Sequence, residues 1–128
     1  IDFYKIAMKP GKPVMAGKLG KTVILALPGN PASAFVSATL FLLPLTRFMA
    51  GAARYLPAYQ SAPTSESLSA NGPRAQFLRA KVDQSGITPF GSQDSAKLSV
   101  LAAANALLFR PADADAAELG AMVPYIAI

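Results

Sequence analysis

Thr22-Val-Ile-Leu-Ala-Leu27 runs straight into Pro28-Gly-Asn-Pro31 and then into Ala32-Ser-Ala-Phe-Val-Ser-Ala-Thr-Leu-Phe-Leu-Leu43, and this stretch decides the fold class. An unbroken apolar run between turn formers reads as a strand buried on both faces, the pattern of a parallel sheet. Asn30 suits the N-cap of a following helix, and Pro31 suits its first position, where a missing N–H costs nothing. Strand, glycine loop and helix N-terminus thus follow in the order of an α/β sheet. Pro44 predicts a kink or restart, because proline removes an interior hydrogen bond, and Gly51 is placed to close the last turn.

Upstream, residues 2–8 have the β-branched and aromatic content of a strand, and Lys9-Pro-Gly-Lys-Pro13 ends it as a stiff loop. Residues 14–19 form a short strand closed by Gly20-Lys21. Downstream, residues 59–71 show no helical period and are broken by Pro63, so a domain boundary falls near Pro57. Residues 75–82 read as a strand with Phe77, Arg79 and Lys81 on one face. Residues 86–90 are a short extended piece, 95–104 a short helix stopped by Asn105, and 106–110 and 120–128 further strands. The expected fold is α/β plus β: residues 1–56 as the end of an α/β domain, and 57–128 as a small barrel or sandwich.

Only 15% of residues are charged, below the usual quarter or so, and 52% are hydrophobic, so the chain is no solvated disordered segment. It has no cysteine and no histidine, which removes disulfides, thiolate nucleophiles, imidazole bases and the common zinc ligands. Any metal must be bound by oxygen. The net charge of +5 is local: residues 1–57 hold seven of the basic side chains against Asp2 alone, and the remainder is nearly balanced. Five lysines within the first 21 residues favour an anionic ligand. Glycine and proline surround these lysines, whereas nucleic-acid surfaces interleave arginines and aromatics, so no nucleic-acid partner is expected. Only about a dozen residues separate Pro31 from Pro44, too few to cross a bilayer, so no membrane association is expected either. Ile1 follows no signal-like segment and reads as the start of a cut chain of a cytoplasmic protein.

Two loops could carry chemistry. Lys9-Pro-Gly-Lys-Pro13 sets two ammonium groups around a glycine that admits close approach of a ligand, although a solvated turn has the same composition. Lys5 shares the face of Lys9 if the strand is continuous, since even spacing keeps one side. Leu27-Pro-Gly-Asn-Pro-Ala-Ser33 opens a helix whose amides favour negative charge, or simply caps it. Ser33, third in that helix, can bond the backbone or a ligand. Loops at neighbouring strand ends are where open α/β sheets bind ligands.

Met8-Lys-Pro-Gly-Lys-Pro13, followed by Leu27-Pro-Gly-Asn-Pro-Ala-Ser33, resembles the C-terminal part of the molybdopterin molybdenumtransferase family, which includes MoeA and the E domain of gephyrin. Phe77-Leu-Arg79 resembles a strand of that family's C-terminal barrel, and Gln93-Asp-Ser95 with residues 98–105 its short helical segment. The resemblance spans the whole chain. It implies that residues 1–56 finish a molybdopterin-binding, three-layer α/β domain and that 57–128 form a small β-barrel domain. It implies an enzyme, active in the full-length parent and inactive as this chain alone, that inserts molybdate into adenylylated molybdopterin with release of AMP. Mg²⁺ is implied as cofactor, with its carboxylate ligands upstream of Ile1 and no metal ligand in this chain. Lys9 and Lys12 are implied as catalytic residues. Lys5, Pro28, Gly29, Asn30, Pro31 and Ser33 are implied at the substrate, with Arg79 and Ser95 facing the site across a homodimer. The alternative is a non-catalytic, gephyrin-like scaffold or partner-binding module.

A strand buried on both faces needs neighbours, so the chain expressed by itself is expected to oligomerise or aggregate. Analytical ultracentrifugation with calorimetry checks this, and a monomeric, sharply melting species would refute it.

Overall fold

The computed structural model describes residues 3–93 and 98–128. Phe3–Tyr4 (β1) and Met8–Lys9 (β2) are two strands where the composition suggested one. The chain turns between them, because Lys5 takes the left-handed φ of 58° and the Met8 N–H bonds back to the Ile6 carbonyl at 2.8 Å. β1 then joins one sheet and β2 another.

Gly20, at φ 61°, holds the first central position of a tight hairpin and turns Met15–Leu19 (β3) back into Thr22–Ala26 (β4). Leu19 pairs with Thr22 and Met15 with Ala26, antiparallel. The expectation of a parallel strand buried on both faces is therefore corrected. A continuous apolar run does not report strand direction, and the Gly-Lys turn made the hairpin. Ile24 is 49% exposed in this chain. Expected self-association now rests on exposed side chains such as Leu19, Ile24, Leu43 and Phe48.

Pro31–Ser37 (α1) continues through a π-helical turn, Ala38–Leu42, into Leu43–Met49 (α2). Pro44 would collide with the Leu40 carbonyl in a regular helix, and the wider turn before it removes that conflict. Pro44 thus sits in the first turn of α2, where the α-helix restarts as expected, without a gap in the chain of helical residues. Gly51, at φ 83°, ends it with the paired bonds of a glycine C-cap: Gly51 N–H to Phe48 O at 3.0 Å, and Ala52 N–H to Arg47 O at 2.9 Å. The helix from Pro31 to Met49 is 19 residues, long and apolar enough to cross a membrane by length and composition alone. The length argument against a span therefore falls. Val36, in its second turn, is nonetheless fully buried against the second sheet.

That sheet comprises β2, Tyr59–Pro63 (β5), Ala75–Asp83 (β6), Gly86–Pro89 (β7), Ala106–Arg110 (β8) and Met122–Ala127 (β9), with Leu98–Ala103 (α3) between β7 and β8. Its order is β2-β6-β8-β9-β5, with β7 also on β6. β2 runs parallel to β6, and the other pairs are antiparallel. The sheet curls until Thr64, just past β5, makes an isolated bridge to Ile87 of β7. It is a mixed sheet whose ends meet at one bridge rather than along a ladder. Asn105 extends the β6 pairing with its side chain, accepting from Val82 N–H at 2.8 Å and donating to Val82 O at 2.9 Å.

Period-two alternation gives the sheet two apolar faces. Ala80, Ala106, Leu108, Val123 and Tyr125 point into the curl with Ile87 and Leu68. Phe77, Leu107 and Ile126 face outward and pack on Met8 and Val36. Each fully buried aliphatic side chain stabilises the fold by roughly 1.5–3 kcal/mol.

Gly86 has φ 128°, and a Cβ there would overlap the Pro63 carbonyl oxygen, whereas a Cβ at Gly91 meets nothing. Gly86→Ala should therefore cost about 2–3 kcal/mol, read as a lower thermal midpoint. Gly91→Ala should stay within about 0.5 kcal/mol of the parent.

Candidate functional site

Pairing of β2 with β6 places Met8 opposite Ala75 and Lys9 opposite Gln76, so the loop of residues 9–13 rises from the edge of the sheet. Gly11, at φ 111°, presses that loop onto α1. A Cβ there would overlap the Met8 side chain and lie 2.8 Å from Ser37 Oγ, so only glycine fits. Ile6 N–H donates to Lys12 O at 2.9 Å and Val14 N–H to Gly11 O at 3.2 Å, which ties both ends of the loop. The Lys9–Pro10 peptide is cis. Lys9 and Lys12 are exposed.

Between this loop, α1 and β6 lies a cavity of about 320 Å³. Lys9, Lys12, Arg74 and Arg79 line it with Ser33, Gln76 and Gln93, over a floor of Phe77 and Leu78. Among the described residues, four cations and no carboxylate face one space. A multiply charged anion there would meet complementary charge from several sides, with the sheet excluding water below.

Arg79 is only 2% exposed. Its Nη2 donates to Gln93 O at 2.6 Å, while Gln93 Oε1 accepts from Arg79 N–H at 3.0 Å and Gln93 Nε2 donates to Arg79 O at 3.0 Å. Gln93 Nε2 also donates to Phe90 O at 2.9 Å. One glutamine thus continues the ladder where β7 ends and fixes the buried guanidinium. Ser33 is buried in the helix's first turn, on the cavity wall.

Of the residues singled out from sequence, Lys9, Lys12, Ser33 and Arg79 come together in this cavity, within one chain. Facing across a dimer is therefore not needed to join Arg79 to the lysines, because the β2–β6 pairing already does so. Lys5 does not line the cavity, since the turn at residues 5–7 destroys the even spacing that would have aligned it with Lys9. Pro28, Gly29, Asn30 and Pro31 shape the helix start without lining the cavity. Asn30 occupies the N-cap with extended backbone, and its carbonyl accepts from Ala34 N–H at 2.8 Å, but its side chain makes no capping bond. Asn30 Oδ1 is instead buried without a partner among the described residues. Ser95 lies outside the described residues. Arg74 and Gln76 were missed, because only the register of β6 against β2 brings them to the lysines. Among the described residues no three carboxylates cluster as a metal site.

Residues 61–128 match the model of the family described as MoeA C-terminal region (domain IV). Molybdopterin molybdenumtransferase 2 of Mycobacterium tuberculosis is 39% identical over 115 residues, which covers 88% of this chain and 28% of that protein. The molybdopterin molybdenumtransferase of Staphylococcus aureus is 27% identical over 128 residues, 97% of this chain and 30% of that one. The crystal structure of the molybdopterin biosynthesis moeA protein from Pyrococcus horikoshii OT3 superimposes with a TM-score of 0.80 at 26% identity, over 98% of this chain and 32% of that one. The chain thus spans under a third of the length of these relatives.

Gln93→Ala would leave the peptide groups of Arg79 and the Phe90 carbonyl without their side-chain partners, so it should cost about 2 kcal/mol in chemical denaturation. Gln60→Ala, which removes one bond to the Tyr125 hydroxyl at 2.9 Å, should cost about 1 kcal/mol or less.

Proposed function

Because this chain belongs to the MoeA C-terminal region family through residues 61–128, we propose that it is part of a molybdopterin molybdenumtransferase of molybdenum cofactor biosynthesis. The reaction on this reading is insertion of molybdate into adenylylated molybdopterin, with release of AMP. The observation that carries it is the cavity in which Lys9, Lys12, Arg74 and Arg79 converge, with no carboxylate among the described residues that line it. Molybdate and the substrate's phosphates are all anionic, and fixed cations around a partly dry space would hold them close together. Lys9 and Lys12, exposed on the cavity rim, take the oxyanion and the charge that grows on departing AMP. Ser33 offers a hydroxyl from the helix start, and Arg79, clamped by Gln93, supplies fixed positive charge at the floor. That charge is also what favours chemistry over a purely scaffolding, gephyrin-like role.

The same reading makes residues 1–56 the end of a three-layer molybdopterin-binding domain and 57–128 a small β-barrel domain, in a cytoplasmic homodimer. Mg²⁺ belongs to the proposal for the parent. The described residues do not fit it, since none of those lining the cavity is a carboxylate, and no step is assigned through it.

In the full-length parent, Lys9→Ala should lower molybdate-dependent AMP release by about 10- to 100-fold, the effect of one charge-assisted hydrogen bond acting in the transition state. Lys21→Ala, at the hairpin turn and away from the cavity, should leave the rate unchanged. Since Lys9 and Arg79 line one cavity of one chain, mixing Lys9→Ala with Arg79→Ala subunits should restore nothing. Recovery of activity on subunit exchange would show that the site is shared between chains.

A further inference from the structure

Beside the cavity a recess of about 170 Å³ opens on the same rim, lined by Lys9, Asn71, Gly72, Pro73, Arg74 and Gln76. Lys9, Arg74 and Gln76 line both spaces, so the recess continues the cavity. Arg74 immediately precedes β6, and its backbone is pinned from behind. Asn71 Nδ2 donates to the carbonyls of Arg74 at 2.9 Å, Arg110 at 3.1 Å and Pro111 at 2.8 Å. Gly72 N–H bonds to Asn71 Oδ1 at 2.9 Å, and Asp113 N–H to Gly72 O at 2.8 Å. The backbone under Arg74 is therefore held on the end of β8.

Its side chain is not held in the same way. Arg74 is half-buried, and among the described residues its guanidinium has no hydrogen-bond or ion-pair partner. A guanidinium partly withdrawn from water, beside a lysine and with no carboxylate among the described residues lining the recess, is electrostatically incomplete. An anion between the two would complete it, and the planar fork of arginine matches two oxygens of one phosphate-type group.

We infer that this recess is a second anion subsite, where Arg74, positioned by Asn71, and Lys9 take a further phosphate-type group of a ligand whose first anionic group lies in the main cavity. The inference rests on the reading of that cavity as an anion site. Lys9 then stands between the two groups, and Arg74 selects ligands with paired anionic groups over single oxyanions.

Isothermal titration of the full-length protein with inorganic phosphate and with pyrophosphate, at fixed ionic strength, tests it. The wild type should prefer pyrophosphate. Arg74→Gln should weaken pyrophosphate about tenfold or more and inorganic phosphate by a clearly smaller factor, with Arg74→Lys in between. Arg74→Gln proteins that bind both probes as the wild type does, or lose both equally, would overturn the second subsite. If Lys9→Ala lost both probes while Arg74→Gln lost neither, the main cavity would stand and the recess would fall alone. A wild type that bound neither probe would remove both.

Discussion

Two residues of parallel pairing, Met8 opposite Ala75 and Lys9 opposite Gln76, hold the lysine loop against the curled sheet. Without that short ladder, and the bond from Ala75 N–H to Ala7 O at 2.9 Å, Lys9 and Lys12 would belong to a solvated turn. With it, they share a cavity with two arginines from the middle of the chain. A ladder of two residues is weak alone, since strands are normally longer. What reinforces it is packing: Met8 is buried with Phe77, Leu107 and Ile126, and Val36 of the helix closes the cluster. The same cluster that docks the helix on the sheet therefore fixes the loop.

Charge and burial are handled differently on the two sides of β6. Arg79 faces outward toward the cavity and is held by the backbone and side chain of Gln93. Arg110 faces into the curl, where its Nη2 donates to Ser69 O at 3.0 Å and Asp115 O at 2.6 Å. Both buried guanidiniums bond backbone carbonyls, which offsets part of the cost of burying them. At the cavity Arg79 is joined by Lys9, Lys12 and Arg74. Stability and anion affinity thus draw on one arrangement.

Much of the local structure was legible. Alternation in residues 75–82 placed Phe77, Arg79 and Lys81 on one face, Asn105 was expected to stop a helix, and Gly51 was expected to cap one. The failures share a physical origin. Six apolar residues at 22–27 say that a strand can be buried but not which way its neighbour runs, and Gly20 decided that. Lys5 was aligned with Lys9 on the premise of unbroken extension, and one left-handed residue ended it.

The sequence by itself determined the kinds of chemistry open to this chain: no thiol, no imidazole, a cluster of lysines in a glycine-proline loop, and a helix beginning at Pro31. Composition and local conformational preference are properties of neighbouring residues, and they survive without a fold. Only the tertiary structure decided that Arg74, Gln76, Arg79 and Gln93 stand beside those lysines. More than sixty residues separate the lysines from their partners, and that distance is closed by strand register and apolar packing rather than by any motif. A shift of one residue between β2 and β6 would turn alternate side chains to the other face of the sheet. The anion-binding character of this protein is therefore written in its lysines but placed by its register.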